Sequence, residues 1–585
     1  MCGIILILSK KEKLNKKLCN LAYNEIKKRG PDKSLKQYFL KDRLFIGNSI
    51  LSIIGKIKPG KDLYKSRNNN HYIAYNGEIY NYKKLLNFAG LKHVNNDTEL
   101  LVNLFSNTSE KKIPKLLDGM FAYCTFNKKN NTISLATDVQ GERKLFIYNN
   151  NKYFICSSNL NSILKFTKDY YLNENKLKEY FDTRHLIFYN KTIYKNIKYL
   201  LPGKSYNYNI SNNKLSSYTY DDPINWINKK KYLKFKKSNL QNLVNHFEKI
   251  IVNSKNKMLP NKKFISLFSG GIDSSLQSKF LDKSKLLKGL LFVDHGNKDP
   301  IAKKISLFKG YLKTKIFKIN MNEKKYSLDL KKVYTSFNIP FLTHDLVGVN
   351  KCFQFVKKNN CKIVFNAGGV DELFGGYKLY KCTNWRKKKI NPSPYSGYKN
   401  KICKYVKTDY KLNSDKLWVK AYKRYRNFMS KQEAKIQASL FADYFVQAVG
   451  VHNISWHLLA GENSIEVRNF FINKSVIQEV INLPIDYKIN NKLKENLSLK
   501  FILKKIFIKN FDKKLVFKKQ GFSGFPNETS KFLNKTRREE FSNLLKDFKK
   551  RMTINRENYW KILNIFYFKK FCTNELNIKN IIKAD

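Results

Sequence analysis

The segment Phe264 to Phe268 (Phe-Ile-Ser-Leu-Phe) runs straight into Ser269-Gly270-Gly271-Ile272-Asp273-Ser274, and helical spacing resumes from Ser274. A short apolar strand that breaks at paired glycines and restarts as a helix belongs to a parallel sheet, because parallel strands need long crossovers between them. Further strands are predicted at Leu290–Val293 and Ile363–Phe365, and a helix at Leu240–Ser254. This alternation predicts an α/β domain with helices on both sheet faces. Upstream the rhythm is different. Short strands at Gly3–Leu8, Leu44–Ile54, Tyr72–Asn76, Phe121–Phe126, Thr132–Thr137 and Phe146–Tyr148 alternate with polar turns, and two helices fall near Leu18–Lys28 and Asp97–Phe105. That pattern predicts a layered α+β domain. Leu201-Pro202-Gly203 closes it. The expected division is therefore 1–205, a polar linker over 206–238, the α/β domain with a largely helical carboxyl-terminal part over 239–530, and a basic extension over 531–585.

A chain of 585 residues with 42 % hydrophobic content can build two or three packed domains. Its first apolar run, Ile4 to Leu8, is too short for a secretion signal, and no run approaches the ~18 residues of a membrane span. The nine cysteines form no CxxC pair, which fits a reducing cytoplasm. Lys+Arg 113 against Asp+Glu 45 gives a net charge of +68, which raises nucleic acid as a partner. The excess is mostly Lys, however, and it rises together with Asn, Ile, Phe and Tyr, all encoded by AT-rich codons. The charge therefore reads as a solvated surface, and neither nucleic acid nor a membrane is expected as a partner.

Met1-Cys2-Gly3 places a thiol one residue from the start. Removal of the initiator would leave a thiol and an α-amine on Cys2, and an amine of ordinary pKa ~7.7–8.0 can take the thiol proton near neutrality. Alone the tripeptide reads equally well as a small buried residue. Arg29-Gly30-Pro31-Asp32 and Tyr75-Asn76-Gly77-Glu78-Ile79-Tyr80-Asn81 add context. Asn76 and the Gly77 amide can donate to an oxyanion, and Asp97 can hold an ammonium. Asn-Gly is also a common hairpin turn.

The Ser269–Ser274 loop lacks the Gly-Lys-[Ser/Thr] ending of a Walker loop. Its glycines admit close approach of a phosphate, its hydroxyls and the following helix start supply donors, and Asp273 suits Mg²⁺. Asp371, in Gly369-Val370-Asp371-Glu372-Leu373-Phe374-Gly375-Gly376-Tyr377, could be a second carboxylate on the same ion.

These motifs, with Asp118-Gly119-Met120-Phe121-Ala122, Ser464-Ile465-Glu466-Val467-Arg468 and Lys519-Gln520-Gly521-Phe522, resemble in order and spacing the glutamine-hydrolysing asparagine synthetase family. The resemblance spans roughly 2–530. It implies an amino-terminal-nucleophile glutaminase domain followed by an adenylating domain of the ATP-pyrophosphatase type. By that resemblance Cys2 is the nucleophile, Asn76 and Gly77 form the oxyanion hole, and Leu51, Ile53, Asn76, Gly77, Glu78 and Asp97 bind glutamine. ATP and pyrophosphate would be held by Leu267, Ser269, Gly270, Gly271, Asp273, Ser274, Phe292, Asn366, Ala367 and Lys519, with Mg²⁺ on Asp273 and Asp371. The implied reaction adenylates a carboxylate, aspartate first, and amidates it with ammonia carried from Cys2 through an internal tunnel. A homodimer stays open as the assembly.

The chain also departs from the family's pattern. Ile50 stands where the family has an Arg for the glutamine carboxylate, and Gly368 where it has a carboxylate thought to deprotonate ammonia. His457-Leu458 replaces an Asp-Arg pair, and Arg143-Lys144-Leu145-Phe146 replaces Lys-Pro-Leu-Tyr. Three other readings stay open: the same chemistry on a sugar acid or peptide carboxylate, an ammonia-only ligase with a degenerate glutaminase domain, and a nucleic-acid-binding protein.

Overall fold

Strand β1 (Gly3–Ser9) is buried along its whole length. Ile4, Leu6 and Leu8 face one core while Ile5 and Ile7 face another, which is why the sequence is apolar without alternation. The computed structural model describes residues 1–177, 190–294, 301–321, 326–340, 343, 345–381, 413–517, 535–549 and 556–572.

Two six-stranded antiparallel sheets form the amino-terminal half. In addition to β1 it contains β2 (Lys33–Phe39), β3 (Leu44–Ile50), β4 (Tyr64–Lys65), β5 (His71–Ile79), β6 (Gly119–Asn127), β7 (Thr132–Thr137), β8 (Phe146–Asn149), β9 (Tyr153–Ser157), β10 (Ile197–Tyr199), β11 (Lys204–Asn209) and β12 (Lys214–Thr219). Their orders are β10-β8-β9-β1-β3-β2 and β12-β11-β7-β6-β5-β4. One core lies between the sheets, where Leu6 and Ile46 meet Ile73 and Phe121. Helix α1 (Lys16–Lys27) covers the outer face of the first sheet through Cys19, Ala22, Tyr23 and Ile26, spaced i, i+3, i+4, i+7. Gly3 is glycine for packing reasons: a Cβ there would collide with the Ser49 hydroxyl and the Ile26 carbonyl.

The second half holds a parallel sheet in the order β15-β14-β13-β16-β17, built from β13 (Phe264–Leu267), β14 (Leu287–Asp294), β15 (Ile316–Asn320), β16 (Ile363–Phe365) and β17 (Glu466–Arg468). From central β13 the chain winds outward first to β14 and β15, then returns to β16 and β17. The carboxyl ends of β13 and β16 thus flank a topological switch point, where open α/β sheets bind ligands. Helical segments dominate the described residues after β16.

Two segments differ from expectation. The 206–238 stretch contains most of β11, all of β12 and a helix at Lys229–Lys237. β12 is a sheet edge exposing every second residue or more, and the helix buries only Tyr232 and Phe235, so both read as polar linker. Within 531–585, the helix Arg556–Cys572 is part of the core: Trp560, Ile562, Leu563, Ile565, Phe566, Tyr567 and Phe568 are buried, and the Tyr334 hydroxyl bonds Asn564. Among the described residues, no helix is long and apolar enough to cross a membrane.

Candidate active site

β1 delivers Cys2 to a pocket also lined by Leu51, Ile53, Gly77, Glu78 and Asp97. The Leu51 amide donates to Cys2 Sγ at 3.4 Å, and Arg29 Nε donates to the Cys2 carbonyl at 3.1 Å. Burial pushes the thiol pKa up, so the sulfur needs a base to become a nucleophile. Met1 is buried beside it; its amine donates to the Ile465 carbonyl at 3.4 Å and is lowered by burial to about 5.

Asn48 fixes the relation between nucleophile and oxyanion donors. Its side chain, buried in β3, donates to the carbonyls of Gly3 (2.8 Å) and Tyr75 (3.1 Å) and accepts from the Tyr75 amide (3.1 Å). One amide thus ties the residue after Cys2 to the residue before Asn76, across the two sheets. The Asn76 side chain is not on the pocket lining, but it is buried and both its amide atoms lack a partner. A buried amide normally finds a partner, so an orphaned one beside a thiol pocket suits an oxyanion donor.

Asp97 opens helix α2 (Asp97–Asn107), with Asn96 as its cap accepting from the Glu99 amide. Its carboxylate accepts from the Tyr75 hydroxyl (3.0 Å) and the Ile79 amide (3.1 Å), and burial raises its pKa to about 6. Glu78 faces the pocket and also pairs with Arg468 of β17 at 2.5 Å; burial lifts it to about 8. Arg468 further holds Glu466 at 2.9 Å, and Glu466 lines the same pocket. The second domain therefore supplies part of the wall.

Around the parallel sheet, Leu267, Phe292 and Asn366 stand at or near the carboxyl ends of β13, β14 and β16, with Ala367 next in line. In the adjoining loop Gly270 has φ +68, a conformation glycine tolerates. The Ser269 amide donates to Ser274 Oγ at 3.2 Å, the two hydroxyls lie 3.0 Å apart, and Gly271 precedes the helix α3 (Ile272–Leu281). Asp273 and Asp371 come together from different elements, and between them sits the buried Lys500 ammonium, bonded to Asp273 and 2.6 Å from Asp371 Oδ1. Burial disfavours that charge, but the two carboxylates overcome it and raise the Lys500 pKa. No group of three or more His, Cys, Asp or Glu able to hold a metal occurs among the described residues. Two carboxylates converging on one cation nevertheless fit Mg²⁺, which binds through one or two carboxylates plus substrate phosphates.

Sequence reasoning missed Asn48 and Lys500. Asparagine inside an apolar strand was a readable signal for the first; Lys500 is hidden among lysines. Lys519, and the motif it begins, lie outside the described residues. Two of the departures meet across the domains: Arg143 Nη1 lies 2.8 Å from His457 Nδ1, and burial with Arg143 holds that imidazole neutral.

The geometry sets a thiol pocket in the first half beside a glycine-rich loop at the switch point of a parallel sheet in the second. Residues 1–220 match the glutamine amidotransferase domain family, and residues 253–564 match the asparagine synthase family. The chain belongs to the asparagine synthase family and is a glutamine-dependent ligase of that type. A Methanocaldococcus jannaschii protein assigned as glutamine-hydrolysing asparagine synthetase 2 is 26 % identical over 409 residues, covering 65 % of this chain and 76 % of that one. Glutamine-hydrolysing asparagine synthetase 1 of Bacillus subtilis is 25 % identical over 402 residues, covering 65 % and 60 %. Among solved structures, the Bacillus subtilis glutamine phosphoribosylpyrophosphate amidotransferase aligns with 14 % identity and a TM-score of 0.27 over 46 % of this chain and 61 % of that one, a likeness too weak to carry weight.

Proposed function

We propose that this protein activates a carboxylate, aspartate first, with ATP as an acyl-adenylate and amidates it with ammonia freed at Cys2. The observation that carries the reading is the pairing, within one chain, of the Cys2 pocket with the Asp273–Lys500–Asp371 cluster at the switch point of the parallel sheet. Once Met1 is removed, the Cys2 amine takes the thiol proton and the sulfur attacks the side-chain amide carbon of glutamine. Asn76 and the Gly77 amide receive the oxyanion, ammonia leaves, and water releases glutamate from the thioester. Ser269, Gly270, Gly271 and Ser274 cradle the phosphates, alongside Leu267, Phe292, Asn366 and Ala367. Lys500, with Lys519 as a second point charge, offsets the charge that grows as the substrate carboxylate attacks the α-phosphorus and pyrophosphate leaves. Asp273 and Asp371 are the residues that would hold Mg²⁺, which when bound neutralises phosphate charge. Ammonia then displaces AMP from the acyl group, losing a proton.

A second acceptor class has one observation in its favour. Among the described residues a Cβ on Gly368 would meet only Asn366 Nδ2, at 3.7 Å, so the position that lacks the family's carboxylate leaves room for an acceptor other than aspartate. The test is AMP and pyrophosphate formation with ATP, Mg²⁺ and glutamine, comparing aspartate with sugar acids and peptide carboxylates. Turnover with aspartate supports the first reading; silence with aspartate and turnover with another acid moves the assignment. Absence of AMP with every acid refutes the adenylation.

A further inference from the structure

The pocket at Cys2 has an unusual balance for a ligand that carries both an ammonium and a carboxylate. Three carboxylates line it, Glu78, Asp97 and Glu466, and among the described residues no Lys, Arg or His side chain does. The rest of the lining is uncharged: Ile50, Leu51, Ile53, Ile54 and Ile57, together with the neutral polar residues Ser52, Tyr64, Tyr75, Asn96 and Thr98. Several cations near it are engaged elsewhere, and Lys56, exposed to solvent between Ile54 and Ile57, is not part of the lining. Arg468 is bound to Glu78 and Glu466, and Arg143 to Glu466, behind the wall. Lys262 donates to the Ser52 carbonyl at 2.8 Å, and Lys58 donates to the Leu63 carbonyl at 2.5 Å over the Tyr64 ring. Arg43 is turned to the Lys10 carbonyl at 3.0 Å. The positive end of helix α2 reaches the pocket, but Asp97 already occupies its first turn.

An α-ammonium entering this space meets carboxylates that burial has pushed towards the neutral form, and it draws them back to the charged form. An α-carboxylate entering with it loses its water against isoleucine and adds a fourth acidic group to the pocket. A carboxyl converted to an amide carries no charge, and its carbonyl can be received by a main-chain N–H. We propose that the nitrogen donor this pocket takes best has a free α-amine but a capped α-carboxyl, the class that includes glutaminamide and peptides with glutamine at the amino terminus. The inference rests on Cys2 being the nucleophile as described above. The chemistry is unchanged: sulfur bonds to the side-chain carbonyl carbon, the C–N bond breaks, ammonia departs with the thiol proton, and water regenerates the thiol.

The experiment compares ammonia release by the full-length protein from L-glutamine, L-glutaminamide and L-glutaminyl-glycine. Mass analysis of the acid product identifies the amide cleaved, and Cys2→Ala sets the background. The expected result is a kcat/KM for the capped donors roughly tenfold or more above that for glutamine, the scale of one charge-assisted contact. Ile50→Arg should reverse the order by giving the carboxylate a partner, and Ile54→Arg tests the same wall should the first variant fail to fold. Free glutamine preferred by the wild type, with release abolished in Cys2→Ala, leaves the nucleophile in place and overturns this inference alone. No Cys2-dependent release from any donor overturns both.

Discussion

Replacing Asn48 by alanine removes a side chain that bonds both β1 and β5 at the Cys2 site. Three hydrogen bonds disappear, leaving the carbonyls of Gly3 and Tyr75 and the amide of Tyr75 without that partner in a site where Asn48 is only 1 % exposed. At about 1 kcal/mol for each bond the loss is about 3 kcal/mol, and more where a stranded group stays dry. For a unit of roughly 200 residues that lowers the melting temperature by about 6–12 °C. Geometry suffers as well, because Gly3 follows the nucleophile and Tyr75 precedes Asn76. Glutamine-driven turnover should therefore fall by about 10²-fold, the scale of one lost oxyanion donor. Ammonia-driven AMP formation, measured below the melting point, should stay within twofold of wild type, since no bond of Asn48 reaches the second domain. A melting point unmoved by more than 2 °C, or an equal loss in both assays, would refute this account.

Other expectations follow from single contacts. Intact-mass measurement should find the mature chain without Met1, and Cys2→Ala should lose glutamine-driven but keep ammonia-driven synthesis; a retained initiator removes the base from the thiol. Lys500→Met should cut AMP formation by about 10²-fold or more without affecting glutamine hydrolysis, because it removes the buried ammonium that pairs with both Asp273 and Asp371. Gly368→Glu should raise ammonia-driven turnover, with a ceiling of ~10²–10⁴-fold for a general base, and the room around that Cβ among the described residues predicts little loss of stability. Glu142 is pushed up to about 8 by burial and by Asp138. Between its ordinary value near 4.5 and 8 the folded chain keeps a proton that the unfolded chain has lost, so this group's contribution falls as pH rises. Glu142→Gln should gain in melting temperature relative to wild type from pH 5 to 8; a constant difference contradicts the shift.

Much of this architecture was readable because its central strands are short, apolar and bounded by glycine, as β1 and β13 are. What escaped notice lies where burial is one-sided. β2, Lys-Ser-Leu-Lys-Gln-Tyr-Phe, is an edge strand with only Leu35 fully buried, and its lysines broke the pattern. The helix Arg556–Cys572 buries Trp560, Ile562, Leu563, Ile565, Phe566, Tyr567 and Phe568 together with Lys561 and Asn564, and only the contacts show that, not the charge of its flanks. At the candidate site, linear motifs pointed to Cys2, Asp97, Asp273 and Asp371. They did not reveal that Glu78 is shared with Arg468, or that Lys500 joins the two aspartates, because such pairings depend on approach between distant segments.

The seam between the halves is laced with charges paired across it. Arg468 would lose Glu78, Arg143 would lose both Glu466 and His457, and Lys362 would lose Asp32, which it holds at 2.6 Å. A gene split at this boundary would thus yield two products whose mating faces carry ions that have lost a partner across the seam. Shuffling either half with one that lacks the matching residue would strand Arg143 or His457 in the same way.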